Sequence, residues 1–220
     1  MKTRLLIFLL SLLLLSCSKG KLQDIPAHDG FAVLRAPTSG ERIANFAGGC
    51  FWSMQECMLS LKGVNMVVSG YAGGNTADPT YDKVLSGNTG HAEAVQVYYD
   101  PQVISFEKLA EAFFLAHDPT QLNGQGPDFG SDYRSIAFYR DEQEYKSLVR
   151  VIDNLDDSGR YKDHIVTELK ALEIFYPAEM EHQDYYKRNP WDLYIRKVSK
   201  PKVTKLRHAI YALIKSEYIE

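Results

Sequence analysis

Gly48-Gly49-Cys50-Phe51-Trp52 is the place in this 220-residue chain where residue types and spacing most favour covalent chemistry. Arg42 to Ala47 reads as a strand and Phe51 to Leu61 as a helix, with the two glycines as a tight turn between them. That order sets Cys50 at a helix N-terminus, where the dipole and the free backbone N–H groups favour a thiolate and lower its pKa. The same residues also fit a buried structural Cys flanked by core aromatics, and spacing alone leaves both readings open. His91-Ala92-Glu93 has the His-x-Glu form of a zinc deaminase, but no Pro-Cys-x-x-Cys pair follows to complete a metal site. His117, His164 and His182 are not spaced as a ligand set and read as solvated or structural. No metal is expected.

The elements that must hold Cys50 alternate. Val64 to Ser69 is a second β-branched run, and Gly70 to Pro79 is a loop before a helical turn from Thr80 to Leu85. Ala92 to Tyr99 is a third strand with Val95, Val97 and Tyr99 on one face. Ser105 caps a helix over Phe106 to His117, ended by Asp118-Pro119, and Gln121 to Asp132 is a Gly-rich loop. Arg134 to Tyr139 is the fourth strand, after which Asp141 and Glu144 have capping-box spacing for a helix to about Leu155. A weaker strand lies around Ile165 to Leu169, and Leu206, Ala209, Ile210 and Leu213 share one helix face that packs back on the body. Such alternation predicts an α/β or α+β sandwich with helices covering a sheet.

Composition removes other classes. A formal net charge of -3 gives no footprint for a nucleic acid, and 3 Cys cannot make the disulfide framework of a small secreted domain. The first Cys has its own context: Lys2 and Arg4 precede an apolar run from Leu5 to Leu15, and Leu14-Leu15-Ser16-Cys17 closes it. This run is too short to span a bilayer core of about 30 Å and reads as an export signal. Its end resembles a bacterial lipobox, which implies removal of residues 1–16 and diacylglycerol on Cys17, with Ser18 favouring outer-membrane sorting. Loss of Lys2 and Arg4 takes the net charge from -3 to -5. The expected product is exported and membrane-anchored by its N-terminal lipid, on the periplasmic face or the cell surface. Residues 17–40 are expected as a lipid-anchored flexible tether and 41–220 as one catalytic domain, monomeric.

Six motifs carry a resemblance. Gly48-Gly49-Cys50-Phe51-Trp52, Gly70-Tyr71-Ala72-Gly73-Gly74, Pro79-Thr80-Tyr81, Ser86 to Glu93, His117-Asp118-Pro119-Thr120-Gln121 and Gly126 to Ser135 occur in the order of the A-type peptide methionine sulfoxide reductases. The chain resembles that family from about Ala44 to Trp191. The resemblance implies an α+β fold, a two-layer αβ sandwich with a mixed sheet in a ferredoxin-like arrangement. It implies reduction of methionine S-sulfoxide, in proteins and as the free amino acid, through a sulfenic acid on Cys50. Glu93 matches the catalytic carboxylate, kept protonated by an apolar wall. Tyr81 and Tyr133 match two phenols that hydrogen-bond the sulfoxide oxygen. Phe51 and Trp52 match the aromatic cage for the methyl group, and Asp128 matches a residue that holds the substrate backbone. No bound cofactor is implied, and thioredoxin or another thiol, such as a glutaredoxin-like protein, is the external reductant. Two alternatives stand beside this one: a lipid-anchored module that binds Met-containing segments without turnover, and a thiol peroxidase, which would not need the aromatic cage.

Many family members carry a resolving Cys in a Gly-rich C-terminal tail, and this chain has no Cys after Cys57. Seven residue steps along a helix from Cys50 to Cys57 give a rise of about 10.5 Å, beyond the roughly 7 Å limit for a bridge. Cys57 is therefore expected in the core, which leaves the sulfenic acid to an external thiol.

Overall fold

The computed structural model describes residues 22–219, so the export signal of residues 1–16 and Cys17 lie outside the described residues. A small hairpin of β1 (Ala27–His28) and β2 (Phe31–Ala32) comes first. The body follows with β3 (Arg42–Ala47), α1 (Phe51–Leu59), β4 (Val64–Ala72), α2 (Tyr81–Leu85), β5 (Ala92–Tyr99) and α3 (Phe106–Ala116). A ribbon of β6 (Gly124–Gln125) and β7 (Asp128–Phe129) lies inside the expected loop, before β8 (Ile136–Tyr139), α4 (Glu142–Asp157), β9 (Glu168–Ala171) and β10 (Phe175–Pro177). Two helices, α5 (Tyr185–Arg188) and α6 (Lys200–Ala209), complete the chain's larger elements. The expected caps are present: Ser105 accepts from Lys108 N–H, and Asp141 accepts from Glu144 N–H at 2.8 Å.

Six strands form one sheet in the order β10-β4-β5-β3-β8-β9, antiparallel except for the parallel pair of β8 and β9. The units β3-α1-β4 and β5-α3-β8 each leave room for one strand of the other, which is the ferredoxin-like split βαβ arrangement, with β9 and β10 added at the edges. The fold is thus the expected α+β sandwich with a mixed sheet. β5 runs through its centre and all eight of its residues are buried. Val95, Val97 and Tyr99 join the core under α1, α3 and α6, while Ala92, Ala94 and Tyr98 face a second apolar cluster on the opposite side.

That second cluster corrects the expected tether. Ile25 and Ala32 are buried in it beside Met66, Val68 and Phe175, so the chain from residue 22 onward is a cover for the sheet. Gln23 fixes the cover's start: its Oε1 accepts from Val67 N–H at 2.7 Å and its Nε2 donates to the Val67 carbonyl at 3.0 Å. Arg35 pairs with Glu41, holding the Glu41 carboxyl down to about 2. The physical reason is that an apolar sheet face left to water is costly, and these are the residues that cover it. The folded body begins at about residue 22, not 41.

Candidate active site

The turn from β3 to α1 is crowded, which is why it needs two glycines. A Cβ on Gly48 would lie 2.8 Å from the Phe113 ring, and Gly49, at φ +74°, packs against Gln125, whose Cγ would be 2.5 Å from such an atom. Gln125 also bonds the backbone of Asp118 twice, through Asp118 N–H at 3.1 Å and the Asp118 carbonyl at 2.9 Å. Gly49 N–H donates to the Tyr133 carbonyl at 3.2 Å. These contacts place Cys50 as the N-cap of α1.

The expectation of a lowered Cys50 pKa is corrected here. Burial pushes the Cys50 thiol well above its ordinary value, and Glu93 adds to that wherever it ionises; Trp52 N–H and the Tyr194 hydroxyl oppose it and lose. A helix terminus contributes fixed partial charges, but removing water from a sulfur anion outweighs them. At neutral pH Cys50 is therefore a thiol.

Glu93 meets its expectation of burial. Its side chain comes from β5, opposite Tyr71 on β4, and it is 1% exposed. Phe51 N–H donates to Oε2 at 2.8 Å, while Oε1 has no hydrogen-bond partner. Burial pushes the Glu93 carboxyl up to about 8, against the Phe51 N–H, and Asp132 and Asp128 push the same way. At neutral pH it therefore carries a proton. Tyr81, first in α2, and Tyr133, in the turn Ser131–Tyr133, both lie close enough to feel Glu93 and Cys50, and burial raises both phenols above their ordinary values. Tyr81 is aimed by Glu179, which accepts Tyr81 N–H at 2.9 Å and the Tyr71 hydroxyl at 2.7 Å.

Aromatic rings wall the pocket. Phe51 and Tyr81 lie nearly parallel with centroids 6.1 Å apart, and Trp52 stacks on Tyr185 at 3.9 Å. The Tyr194 ring meets Trp52 edge-on at 5.8 Å, and its hydroxyl donates to Asp128 Oδ2 at 2.5 Å. All seven expected residues, Cys50, Phe51, Trp52, Tyr81, Glu93, Asp128 and Tyr133, thus share one region, and Cys17 alone lies outside the described residues. Tyr194 and His182 were not expected in it. His182 accepts Trp52 Nε1–H at 3.3 Å and lies 4.2 Å from the Tyr81 ring, so it is a buried part of the wall. Tyr194 follows a stretch without apolar periodicity and had no local signal to mark it. His117 is structural, bridging the Phe113 carbonyl and Ser135 Oγ at 2.8 Å each, and His164 is exposed. Among the described residues no group of three or more His, Cys, Asp or Glu is placed to hold a metal ion.

The site can be compared with known proteins. The family model for peptide methionine sulfoxide reductase matches residues 42–213. The chain is 53% identical over 166 residues to peptide methionine sulfoxide reductase MsrA of Natronomonas pharaonis, covering 76% of this chain and 93% of the relative. It is 43% identical over 173 residues to MsrA of Acinetobacter baumannii, covering 79% and 98%. Among solved structures, Mxr1 of Saccharomyces cerevisiae in reduced form is similar with a TM-score of 0.67 and 31% identity, over 72% of this chain and 91% of that one. Methionine sulfoxide reductase A of Corynebacterium diphtheriae is similar with a TM-score of 0.63 and 32% identity, over 70% and 78%.

Proposed function

The chain belongs to the peptide methionine sulfoxide reductase family, and on that premise we propose that it reduces the S epimer of methionine sulfoxide, free and in proteins, with Cys50 as nucleophile and Glu93 as acid. The observation that supports this assignment is the Glu93 carboxyl: buried, protonated at neutral pH, beside Cys50, and with Oε1 unpartnered. An incoming sulfoxide oxygen is the acceptor that a lone buried acid needs.

The steps balance. The Cys50 thiol attacks the sulfoxide sulfur while Glu93, with the Tyr81 and Tyr133 hydroxyls, hydrogen-bonds the oxygen and gives it a proton, and the proton that the thiol gives up returns Glu93 to its acid form. The sulfoxide sulfur gains two electrons and leaves as methionine; Cys50 loses two and holds the oxygen as a sulfenic acid. Phe51 and Trp52 take the methyl group, whose small apolar surface suits an aromatic wall. Asp128, fixed by Tyr194, faces the substrate's backbone. Two thiols of an external donor then return Cys50 to the thiol, forming one disulfide and one water; a thioredoxin-like or glutaredoxin-like protein has that chemistry. Among the described residues Cys57 is the other free thiol, and α1 holds it too far along the helix for a bridge.

The export signal and the Leu14-Leu15-Ser16-Cys17 lipobox support a mature chain that starts at an acylated Cys17 and works on a membrane surface outside the cytoplasm. Incubating the protein with methionine S-sulfoxide in the absence of thiols tests the chemistry. One methionine per chain and one added oxygen on the Cys50 peptide are expected. Methionine formed without oxidation of Cys50, or no methionine at all, would overturn the assignment.

A further inference from the structure

Charge is spread unevenly along this acidic chain. Residues 185–207 hold eight of the 25 Lys and Arg and one of the 28 Asp and Glu, Asp192. Lys187 and Arg207 turn inward onto Glu56, whereas Arg188, Arg196, Lys197 and Lys200 are exposed and form no ion pair among the described residues. From Leu193 the chain is helical without a break, through a π-helical stretch at Ile195–Ser199, into α6. Ile195, Ser199, Val203 and Leu206 bury one side of it. Leu193, Arg196, Lys197 and Lys200 follow at three- and four-residue steps on the other. Trp191 is 82% exposed and Leu193 67%. Aromatic and aliphatic side chains projecting beside unpaired cations are the make-up of an interfacial helix, whose apolar groups enter the headgroup boundary while its cations meet lipid phosphate.

The start of the described chain says which anionic partner this is. Gln23 clamps Asp184, with its N–H on Oδ2 at 2.6 Å and its Nε2 on Oδ1 at 2.9 Å, and Asp184 is the N-cap of α5, which ends at Arg188. Five residue steps separate Cys17 from Leu22, a reach of no more than about 18 Å at about 3.5 Å each. An acyl group on Cys17 therefore brings the bilayer to the beginning of the basic arm. We propose that Arg188, Trp191, Leu193, Arg196, Lys197 and Lys200 seat the domain on an anionic phospholipid surface next to its anchor, a proposal that rests on the acylated Cys17 inferred above. Tyr194 lies within the same arm and bonds Asp128 in the pocket, so a seated domain holds its pocket close to the membrane.

The acylated full-length protein, reconstituted on phosphatidylcholine vesicles containing brominated phosphatidylglycerol, tests this by tryptophan quenching, with Trp191→Phe separating Trp191 from Trp52. Quenching of Trp191 is expected, with loss of quenching when Arg196, Lys197 and Lys200 are all replaced by Glu. That variant should still float with the vesicles and keep its dithiothreitol-driven turnover of free methionine sulfoxide. Unquenched Trp191 in a floating wild-type chain, or quenching indifferent to the charge reversal, overturns the seating and leaves the anchor standing. If the triple variant keeps quenching but loses turnover with a protein thiol donor, the arm serves an acidic protein and the proposal is overturned. A wild-type chain that does not float, with no acyl mass on its N-terminal peptide, overturns the anchor and the seating with it.

Discussion

The first residue before α1 and its last turn present the same two side-chain types, a buried Cys and a buried Glu, in opposite settings. Cys50 adjoins Glu93, and Cys57 adjoins Glu56; burial raises the pKa of both thiols and of both carboxyls. What differs is how the carboxyl is satisfied. Glu56 Oε1 bonds Arg207 and its Oε2 lies 3.8 Å from Lys187, so both oxygens are committed to holding the C-terminal region against α1. Glu93 has one N–H, no cation, and one unpartnered oxygen. A buried carboxyl paired on both sides is structural, because its charge is already answered. One that keeps its proton and leaves an oxygen open is prepared for a visiting acceptor. A depressed thiol pKa is not what separates the two cysteines; the neighbouring acid is.

The largest effect should come from exchanging the sulfur itself. Cys50→Ser is expected to abolish sulfoxide reduction while near-ultraviolet circular dichroism stays native; measurable turnover by this variant would place the nucleophile elsewhere and dissolve the contrast with Cys57.

Removing the acid should cost less. Glu93→Gln is expected to slow the sulfenic-acid-forming step by about 10²- to 10⁴-fold in single turnover, the usual size of general acid catalysis. The pH profile adds a second measurement. Glu93 loses its proton through about pH 8, so the wild-type first step should fall as pH rises past that value, and the Gln variant should not show that fall. Stability moves with the same proton. The folded pKa is raised above the ordinary 4.5, so the contribution is fully present below about 4.5 and is lost as pH rises through about 8. Denaturant midpoints of Glu93→Gln should therefore decline less than wild type between these limits. Equal slopes would mean that Glu93 is ionised in the native protein.

Much of this contrast is legible in the sequence, and the reason is locality. Arg42–Ala47, the Ser105 and Asp141 caps and the Gly48-Gly49 turn are set by neighbours within a few residues, so periodicity and cap spacing find them. Cys50, Phe51 and Trp52 are one run, and the other site residues came from motif order. What stayed hidden depends on distant partners. Gln23 and Asp184 are 161 positions apart, and Tyr194 meets Asp128 across 66. β10 is three residues long and includes Pro177, too short for an alternating pattern. The cover formed by residues 22–36 reads as polar linker until the sheet face beneath it is known. The direction of the Cys50 pKa is not legible in the sequence, because a helix-end argument carries no information about burial.

A smaller effect is expected from Tyr194→Phe, which removes the hydroxyl that bonds Asp128 and faces Cys50 but keeps the ring against Trp52. Losing one hydrogen bond to a charged group predicts about a tenfold fall in kcat/KM for a peptide substrate. No change would leave Asp128 held by other contacts and restrict the pocket's polar machinery to Glu93, Tyr81 and Tyr133.

The smallest effect belongs to Cys57, and it is the sharpest test of the comparison. Cys57 is 1% exposed, with its thiol pushed up to about 12, so it offers almost no thiolate to attack a sulfenic acid. Cys57→Ala should keep the wild-type rate both with dithiothreitol and with a protein donor, and oxidised wild-type protein should show no Cys50–Cys57 peptide on mapping. The opposite result has a specific structural cost. A bridge would require α1 to unwind between Phe51 and Met58, breaking its hydrogen bonds and pulling Cys57 out of the core, and the amides there would exchange faster in the oxidised state. The buried Glu56, Arg207 and Lys187 cluster ties that last turn to the C-terminal region, so such unwinding must also break the ion pairs. Unchanged protection of these amides after one turnover is therefore the expected outcome, with the reducing equivalents arriving from a separate thiol at the Cys50 end of the helix.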